Sequence, residues 1–198
     1  CGSCSRTFFT LLNSEFGCPN ETEELAADPL AGGLMMTQNQ CGMVWGSALA
    51  IGAESHRRYN DHNQALTMAV AGTQKIVDSF KNRATSINCR DVVGLDISNR
   101  SEILGFMLKS LPVGYSNVIC MNLAEKWAPE AIQSAKEGLS HEQTGLPQMP
   151  VSCASEVVNR MGAGDEEMVT VAGFAGGIGL SGNACSVLAA AIWIASLA

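Results

Sequence analysis

The end of the chain repeats a segment that lies near its beginning, and this repeat constrains the fold more than any other feature. Residues 31–41 (AGGLMMTQNQC) align with residues 175–185 (AGGIGLSGNAC), with identical Ala, Gly, Gly, Asn and Cys. Upstream, Cys4 aligns with Cys153 after a short deletion in the loop that follows the first helix. A single helix–loop–helix unit cannot bury its apolar face alone. We therefore expect the second copy to pack on the first, as a partner subunit would in a symmetric dimer.

Apolar residues recur at helical spacing along most of the chain, whereas the alternation typical of strands is nearly absent. Capping residues, glycines and prolines mark the ends of the predicted helices. These helices cover residues 3–16, 21–27, 39–52, 61–82, 88–94, 101–111, 117–137, 152–161, 166–174 and 185–197. The predicted fold class is all-α, a helical bundle built on the duplicated helix–loop–helix unit.

Changes in composition divide the chain into two helical units and a connector. Residues 1–138 form the first unit, and residues 152–198 form the partial second copy, which packs on the first. Residues 139–151 between them are polar and contain one glycine and two prolines, which is typical of a connector.

The composition indicates a chain that folds and that does not bind nucleic acid. Hydrophobic residues make up 46% of the chain and charged residues 16%, so the signature of a disordered protein is absent. Twelve Lys and Arg against nineteen Asp and Glu give a net charge of −7. Nucleic-acid binding requires a clustered basic face that neutralises phosphates, and we exclude it on this ground.

The last thirty residues, 169–198, carry no charge, yet they do not indicate a membrane span. Glycines between residues 173 and 182 interrupt the segment. The uninterrupted apolar part, residues 185–197, is shorter than the roughly 20 residues that cross a bilayer. The segment therefore predicts a buried core helix.

The chain starts at Cys1 rather than at a methionine. Cleavage of an export signal would leave such a start, and so would trimming of a longer chain. Between an exported and a cytoplasmic location, we expect the exported one.

Eight cysteines are more than packing requires in a chain of this length. Five of them lie at or next to predicted helix N-termini: Cys4, Cys41, Cys89, Cys153 and Cys185. Unpaired N–H groups and the positive helix dipole lower a thiol pKa at such positions, and the thiolate binds metals and attacks disulfides. A free cysteine is also a common small buried hydrophobe. The same placement in both copies favours a metal-binding or redox role of these cysteines over a role in packing alone.

Other chemistry-bearing patterns are missing from the sequence. No spacing matches a zinc site built from paired short C-x-x-C units, and no C-x-x-C-H motif supports covalent haem. The glycine-rich residues 175–182 lack the G-K-[ST] ending of a phosphate loop. Since no substrate-binding residues can be named, the sequence leaves an enzymatic role undecided.

Four of the cysteines lie in segments that resemble a known family. The segment CGMVWG at residues 41–46 is followed by SINCRD at residues 86–91 and then by Cys120, and Cys4 precedes all three. This arrangement resembles the C_GCAxxG_C_C family of redox-active proteins. The family cysteines then fall on Cys4, Cys41, Cys89 and Cys120.

The resemblance spans residues 4–138, with a truncated second copy over residues 153–198. It departs from the family pattern at Met43, which stands in place of an alanine. The second copy departs further, because the residues after its second cysteine lack both motif glycines.

The resemblance implies a helical redox module that binds an iron–sulfur cluster. A similar module accompanies an iron–sulfur centre in split-Soret cytochromes, whose haem-binding part has no counterpart in this chain. All-thiolate ligation is the usual arrangement for such clusters, whether [2Fe–2S] or [4Fe–4S]. The implied ligands are Cys4, Cys41, Cys89 and Cys120, with Cys153 and Cys185 less favoured. The residues expected around the cofactor are Asn39, Gly42, Gly46 and Asn88.

Two other functions stay open from the sequence. A metal-free thiol/disulfide protein would use proximal cysteine pairs, and an exported chain could carry its cysteines as disulfides. A structural or interaction module would use the duplicated unit as an interface, with inert cysteines. For the redox function, the expected partners are a redox protein or an oxidoreductase complex, together with a second copy of the chain.

Overall fold

The computed structural model describes residues 2–96, 99, 101, 102, 104, 119–140 and 152–197. Within these ranges the chain is all-α, as the helical spacing predicts, and contains no strand. The helices are α1 (Cys4–Phe16), α2 (Glu21–Ala26), α3 (Gly42–Arg58), α4 (His62–Ala84), α5 (Cys89–Val93), α6 (Ile119–Ser140), α7 (Cys153–Arg160), α8 (Asp165–Thr170) and α9 (Ser186–Leu197). Short 3-10 helices follow α2 and α8, at Asp28–Leu30 and Ala172–Phe174.

Helix α3 is the centre of the bundle. Every residue from Gly42 to Ser55 is buried, which is the pattern of a helix surrounded by other helices. Helix α3 packs against α1 on one side, α4 on another and α8 on a third. Its position explains why its apolar residues do not form a single stripe.

An aromatic cluster joins α1, α4 and α6. The ring of Trp127 stacks on Phe8 with centroids 4.8 Å apart and meets the edge of Phe80 at 4.7 Å. The indole N–H of Trp127 donates to Ser79 Oγ at 3.1 Å, so the buried polar atom has a partner. This cluster fixes α6 against α1 and α4.

Residues 152–197 pack on the first part of the molecule. Trp193 on α9 donates its indole N–H to the Glu23 carbonyl oxygen at 3.3 Å. Phe174 meets the Trp45 ring edge-on, with centroids 4.7 Å apart. Buried aromatic contacts therefore attach this part of the chain to both α2 and α3.

Two loops of unusual conformation precede α3 and α9. We call residues 31–40 the first glycine loop and residues 175–184 the second glycine loop. Non-glycine residues adopt positive φ in both loops, at Leu34, Met35, Met36, Gln38, Ile178 and Leu180. The same five backbone hydrogen bonds occur in each loop, donated by residues 34–38 in the first and by residues 178–182 in the second.

The first glycine loop corrects one helix boundary. The sequence predicts a helix from residue 39 to residue 52, whereas α3 begins at Gly42 and ends at Arg58. It begins later because the loop holds left-handed residues as far as Gln38. It ends later because Arg57 and Arg58 pair with Glu54 over the last turn, at 3.0 and 2.6 Å.

Other boundaries differ in smaller ways. The predicted helix over residues 166–174 is α8 followed by a 3-10 turn. The predicted connector begins two residues too early, since α6 continues to Ser140 and runs through Pro129 without a break. The predicted helix at residues 101–111 lies almost wholly outside the described residues.

None of the helices in the described part of the chain combines the length and the apolar character that crossing a bilayer requires.

Candidate functional site

The first glycine loop and the start of α5 bring two cysteines to one place. The Cys41 N–H donates to the Ile87 carbonyl at 2.7 Å, and the Cys89 N–H donates to the Asn39 carbonyl at 2.6 Å. These bonds flank an antiparallel bridge between Gln40 and Asn88. Cys41 and Cys89 are therefore diagonal neighbours on one face of the bridge, a relation that usually separates side chains by about 7–8 Å.

A close crossing of α1 and α3 brings Cys4 to the same place. A Cβ atom on Gly46 would lie 1.9 Å from the Ser5 carbonyl oxygen, so the two helices can approach this closely only at a glycine. A Cβ atom on Gly42 would lie 2.5 Å from Cys4 Sγ. The Cys4 sulfur therefore rests on the residue that follows Cys41. Ser3 caps the helix that carries Cys4 by accepting from the Arg6 N–H at 3.3 Å.

Cys120 is the second residue of α6, which packs against α5 and α1. Its side chain is half-buried. The electrostatic effect of Cys120 reaches both Cys41 and Cys89, and Cys4 acts on Cys120 in turn. We call Cys4, Cys41, Cys89 and Cys120 the sulfur site.

Three thiols of the sulfur site, those of Cys41, Cys89 and Cys120, have raised pKa values. Burial, and then the nearby Cys4, raises the pKa of the Cys41 thiol well above its ordinary value. Burial, Cys120 and Cys4 raise the pKa of Cys89 to about 11. Burial and Cys4 also raise the pKa of Cys120.

The expectation that helix N-termini lower the thiol pKa values is therefore wrong for Cys41 and Cys89. The backbone N–H of Met43 lowers the pKa of Cys41, but burial outweighs its effect. Desolvation disfavours a buried anion, and each neighbouring sulfur adds repulsion once it ionises. In the absence of a positive charge, the neutral thiol is the favoured form of Cys41, Cys89 and Cys120.

The two asparagines predicted to lie near the cofactor line an open polar cavity of about 490 Å³ beside the bridge. Asn88 occupies the N-cap position of α5, but its side-chain amide donates to Asp91 at 3.3 Å instead of capping the helix. Asn39 donates to Thr37 Oγ1 at 2.7 Å. Their role in holding a cofactor stays a prediction.

Gln40 is the residue of this region that the sequence did not single out. Its side-chain amide donates to Asn88 Oδ1 at 3.4 Å and also to the Asn183 carbonyl oxygen of the second glycine loop. Only 3% of Gln40 is exposed. The sequence signal that could have identified it is its position directly before a motif cysteine.

Cys153 and Cys185 lie outside the sulfur site. Both are exposed, whereas Cys41 is 3% exposed. The sulfurs that raise the pKa of Cys41 and Cys89 belong to the sulfur site itself. Among the described residues, no three His, Cys, Asp or Glu side chains converge closely enough to hold a single metal ion.

An all-α chain that collects four cysteines from four helical segments in one largely buried site has the organisation of a redox module. The chain belongs to the family described as "Putative redox-active protein (C_GCAxxG_C_C)", whose model matches residues 3–137. The resemblance stated from the sequence is thereby confirmed over the first unit, and with it a redox role. The match ends before the second segment, so the duplication stays a prediction. No curated protein and no solved structure matches the chain.

Proposed function

We propose that the protein carries electrons on an iron–sulfur cluster held by Cys4, Cys41, Cys89 and Cys120. The observation that carries the proposal is the convergence of these four cysteines, each from a different helical segment, on one site in which their sulfurs influence each other. Such a cluster supplies one-electron transfer.

The charge of the site supports a bound cationic core over a metal-free nucleophile. A thiol with a strongly raised pKa is almost wholly protonated at neutral pH and attacks disulfides poorly. Four thiolates in a desolvated site would repel each other, and an iron core offsets their charge. Cys41 and Cys89 are therefore better placed as ligands than as reactive thiolates.

A cluster and a single ion place different demands on the four sulfurs. A tetrahedral zinc site needs its sulfurs about 2.3 Å from one point, and the described residues do not converge in that way. In a [4Fe–4S] cluster each cysteine binds a different iron, so the four sulfurs can stand further apart. The cluster type stays open between [2Fe–2S] and [4Fe–4S].

The chain itself fixes and tunes the ligands. Backbone hydrogen bonds hold Cys41 and Cys89 next to the bridge, and the backbone N–H of Met43 favours the charged form of the Cys41 sulfur. Hydrogen bonds to ligand sulfurs raise the reduction potential of a cluster. Gly42 leaves the space into which the Cys4 sulfur fits.

A metal-free thiol/disulfide function is the second candidate, and the contact between Cys4 and the residue after Cys41 favours it. Formation of a disulfide between Cys4 and Cys41 would release two protons and two electrons to an oxidant. In that case the partner is a dithiol or disulfide protein instead of an electron carrier.

The test is purification without oxygen, followed by iron and acid-labile sulfide analysis and an absorption spectrum. We expect stoichiometric iron and sulfide with charge-transfer bands in the visible range. Zinc in place of iron, or no metal after reconstitution with iron and sulfide, would overturn the proposal. Thiol counting on the denatured metal-free protein then distinguishes the disulfide candidate, which shows fewer free thiols.

Matched variants assign the ligands. We expect Cys41→Ser and Cys89→Ser to lose most of the iron and the visible absorption. Cys185→Ser changes an exposed cysteine at the corresponding place after the second glycine loop, and it should retain both. Equal iron loss in Cys41→Ser and Cys185→Ser would contradict the ligand assignment.

A further inference from the structure

The segment of residues 152–197 carries two cysteines that the sulfur site does not use. Cys153 and Cys185 are both exposed, and this segment contains no other cysteine. They therefore lack the further thiols that complete the sulfur site in the first part of the chain.

The backbone around these two cysteines matches the backbone around Cys4 and Cys41. Ser152 caps α7 by accepting from the Ser155 N–H at 3.0 Å, as Ser3 caps α1. Cys185 follows the second glycine loop and directly precedes α9, as Cys41 follows the first loop and directly precedes α3. Helices α7 and α9 pack against each other, as α1 and α3 do. Cys153 and Cys185 therefore lie at the N-termini of two helices that pack against each other.

One substitution next to the second of these cysteines distinguishes the two segments. Gly42, which accommodates the Cys4 sulfur, corresponds to Ser186 in the segment of residues 152–197. A Cβ atom at Gly42 would lie 2.5 Å from Cys4 Sγ, and Ser186 has that Cβ atom. A sulfur placed like that of Cys4 would meet this atom, which agrees with the exposure of Cys153. Two exposed thiols without further ligands are suited to exchange with a disulfide rather than to metal binding.

We propose that Cys153 and Cys185 form a surface dithiol that exchanges with the disulfide of a redox partner. One thiolate attacks the partner disulfide, forms a mixed disulfide and releases one partner thiolate. The second cysteine loses its proton and attacks its neighbour, which forms the Cys153–Cys185 disulfide and releases the other partner thiolate. The protein loses two electrons and two protons, and the partner disulfide gains them.

The loop that precedes Cys185 contacts the loop that precedes Cys41. The carbonyl of Asn183, two residues before Cys185, accepts from the side chain of Gln40, which immediately precedes Cys41. This hydrogen bond links the first glycine loop with the second glycine loop. The proposal does not rest on the iron–sulfur cluster, because the exchange needs only these two thiols.

The test treats the full-length reduced chain, purified without oxygen, with one equivalent of a chromogenic aryl disulfide. A neighbouring pair releases two aryl thiolates for each reagent molecule and ends as an internal disulfide, whereas a separate thiol releases one and keeps the mixed disulfide. Trypsin cuts after Lys136 and Arg160, which places Cys153 and Cys185 on different peptides that hold no other cysteine. We expect mass spectrometry to find these two peptides linked.

Serine variants separate the outcomes. Cys153→Ser and Cys185→Ser should each release half as much aryl thiolate per reagent molecule and yield no linked peptide. Cys18→Ser, which changes a cysteine in the turn between α1 and α2, should still yield the linked peptides. Aryl groups on both Cys153 and Cys185 with no linked peptide would overturn the proposal. Iron content, measured on the same samples, reports the sulfur site separately.

Discussion

Residues 3–58 and residues 152–197 hold the same short elements but give their cysteines opposite surroundings. Each segment has a serine-capped helix, a short acidic helix, a 3-10 turn and a glycine loop, followed by a helix that begins directly after a cysteine. In the first segment that cysteine is 3% exposed. In the second it faces solvent. The loop conformation is therefore not what buries a cysteine.

The difference lies in the residues that follow the cysteine. The first segment has glycines at positions 42 and 46, where α1 touches α3, whereas the second has Ser186 and Ala190. The first also receives residues 87–90, whose backbone pairs with the glycine loop. The first segment thus combines a buried cysteine with two glycines at a close helix contact and with one backbone-paired segment.

The largest effect that we expect from exchanging residues between the segments comes from Gly46→Ala. A glycine-to-alanine change inside a helix normally stabilises by about 1 kcal/mol. Here the new Cβ would lie 1.9 Å from the Ser5 carbonyl oxygen, a backbone atom that cannot turn away. We expect a loss of about 3 kcal/mol in the free energy of unfolding, typical of strong overpacking. Urea unfolding with a constant m-value measures this loss.

The matched control is Ala190→Gly, which places a glycine at the corresponding position of α9. It should cost about 2 kcal/mol, of which about 1 is the helix propensity of glycine and about 1 the loss of a buried methyl group. If Gly46→Ala unfolds at or above the parental urea midpoint, the helix crossing is not as close as the structure shows.

The next effect depends on pH and involves Glu23, at the third position of α2. Burial, and then Glu166, raises the pKa of this carboxyl from 4.5 to about 7. The folded state therefore binds a proton that the unfolded state releases, so this group lowers stability as pH rises from 4.5 to 7. We expect Glu23→Gln to add about 2 kcal/mol at pH 8, after allowance for solvent screening, and nothing at pH 4.

The corresponding residue of the second segment gives the contrast. Glu167 accepts from the Gly164 N–H at 2.9 Å at the start of α8. Glu167→Ala should therefore cost about 1 kcal/mol, as the loss of a helix-capping bond does. Urea midpoints of both variants at pH 4 and pH 8 measure these changes. A pH-independent gain in Glu23→Gln would show that its carboxyl titrates normally.

A smaller effect should follow from Gln40→Ala, which introduces the residue that the second segment carries as Ala184. The change removes the bonds to Asn183 and Asn88 and should cost about 1 kcal/mol. Hydrogen exchange should show faster amide exchange at residues 181 and 182. The exposed Gln64→Ala serves as control and should leave both measurements unchanged. Unaltered exchange in Gln40→Ala would mean that the two loops are held together by other contacts.

The sequence predicted the helical class, nearly all described helices and the cysteines of the sulfur site, because these depend on local spacing and on short motifs. The thiol pKa values could not be predicted in the same way. Whether Cys41 is a thiolate depends on burial by α1, α5 and α6, which come from distant parts of the chain. The start of α3 was missed because left-handed residues such as Met35 and Met36 carry no glycine signal.

The smallest effect concerns Met35, whose counterpart in the second glycine loop is Gly179. Met35 has a φ of 50° and is 63% exposed, so its side chain contributes little packing to offset the strain of a left-handed backbone. That strain is about 1–2 kcal/mol for a residue with a Cβ atom. Glycine removes it but loses about 0.4–1 kcal/mol through the entropy of the unfolded chain. We expect Met35→Gly to stabilise by about 0.5 kcal/mol in urea unfolding.

At the corresponding position of the second glycine loop, the substitution Gly179→Ala adds a Cβ atom and should lower the free energy of unfolding by about 2 kcal/mol. Its φ is 57°, and a Cβ atom there would lie 3.0 Å from the Gln74 backbone nitrogen. Strain and overpacking then add. Changes of opposite sign at the two positions would show that the loops share a backbone and differ only in what surrounds it. A destabilised Met35→Gly would instead show that the exposed methionine is held by contacts of its own.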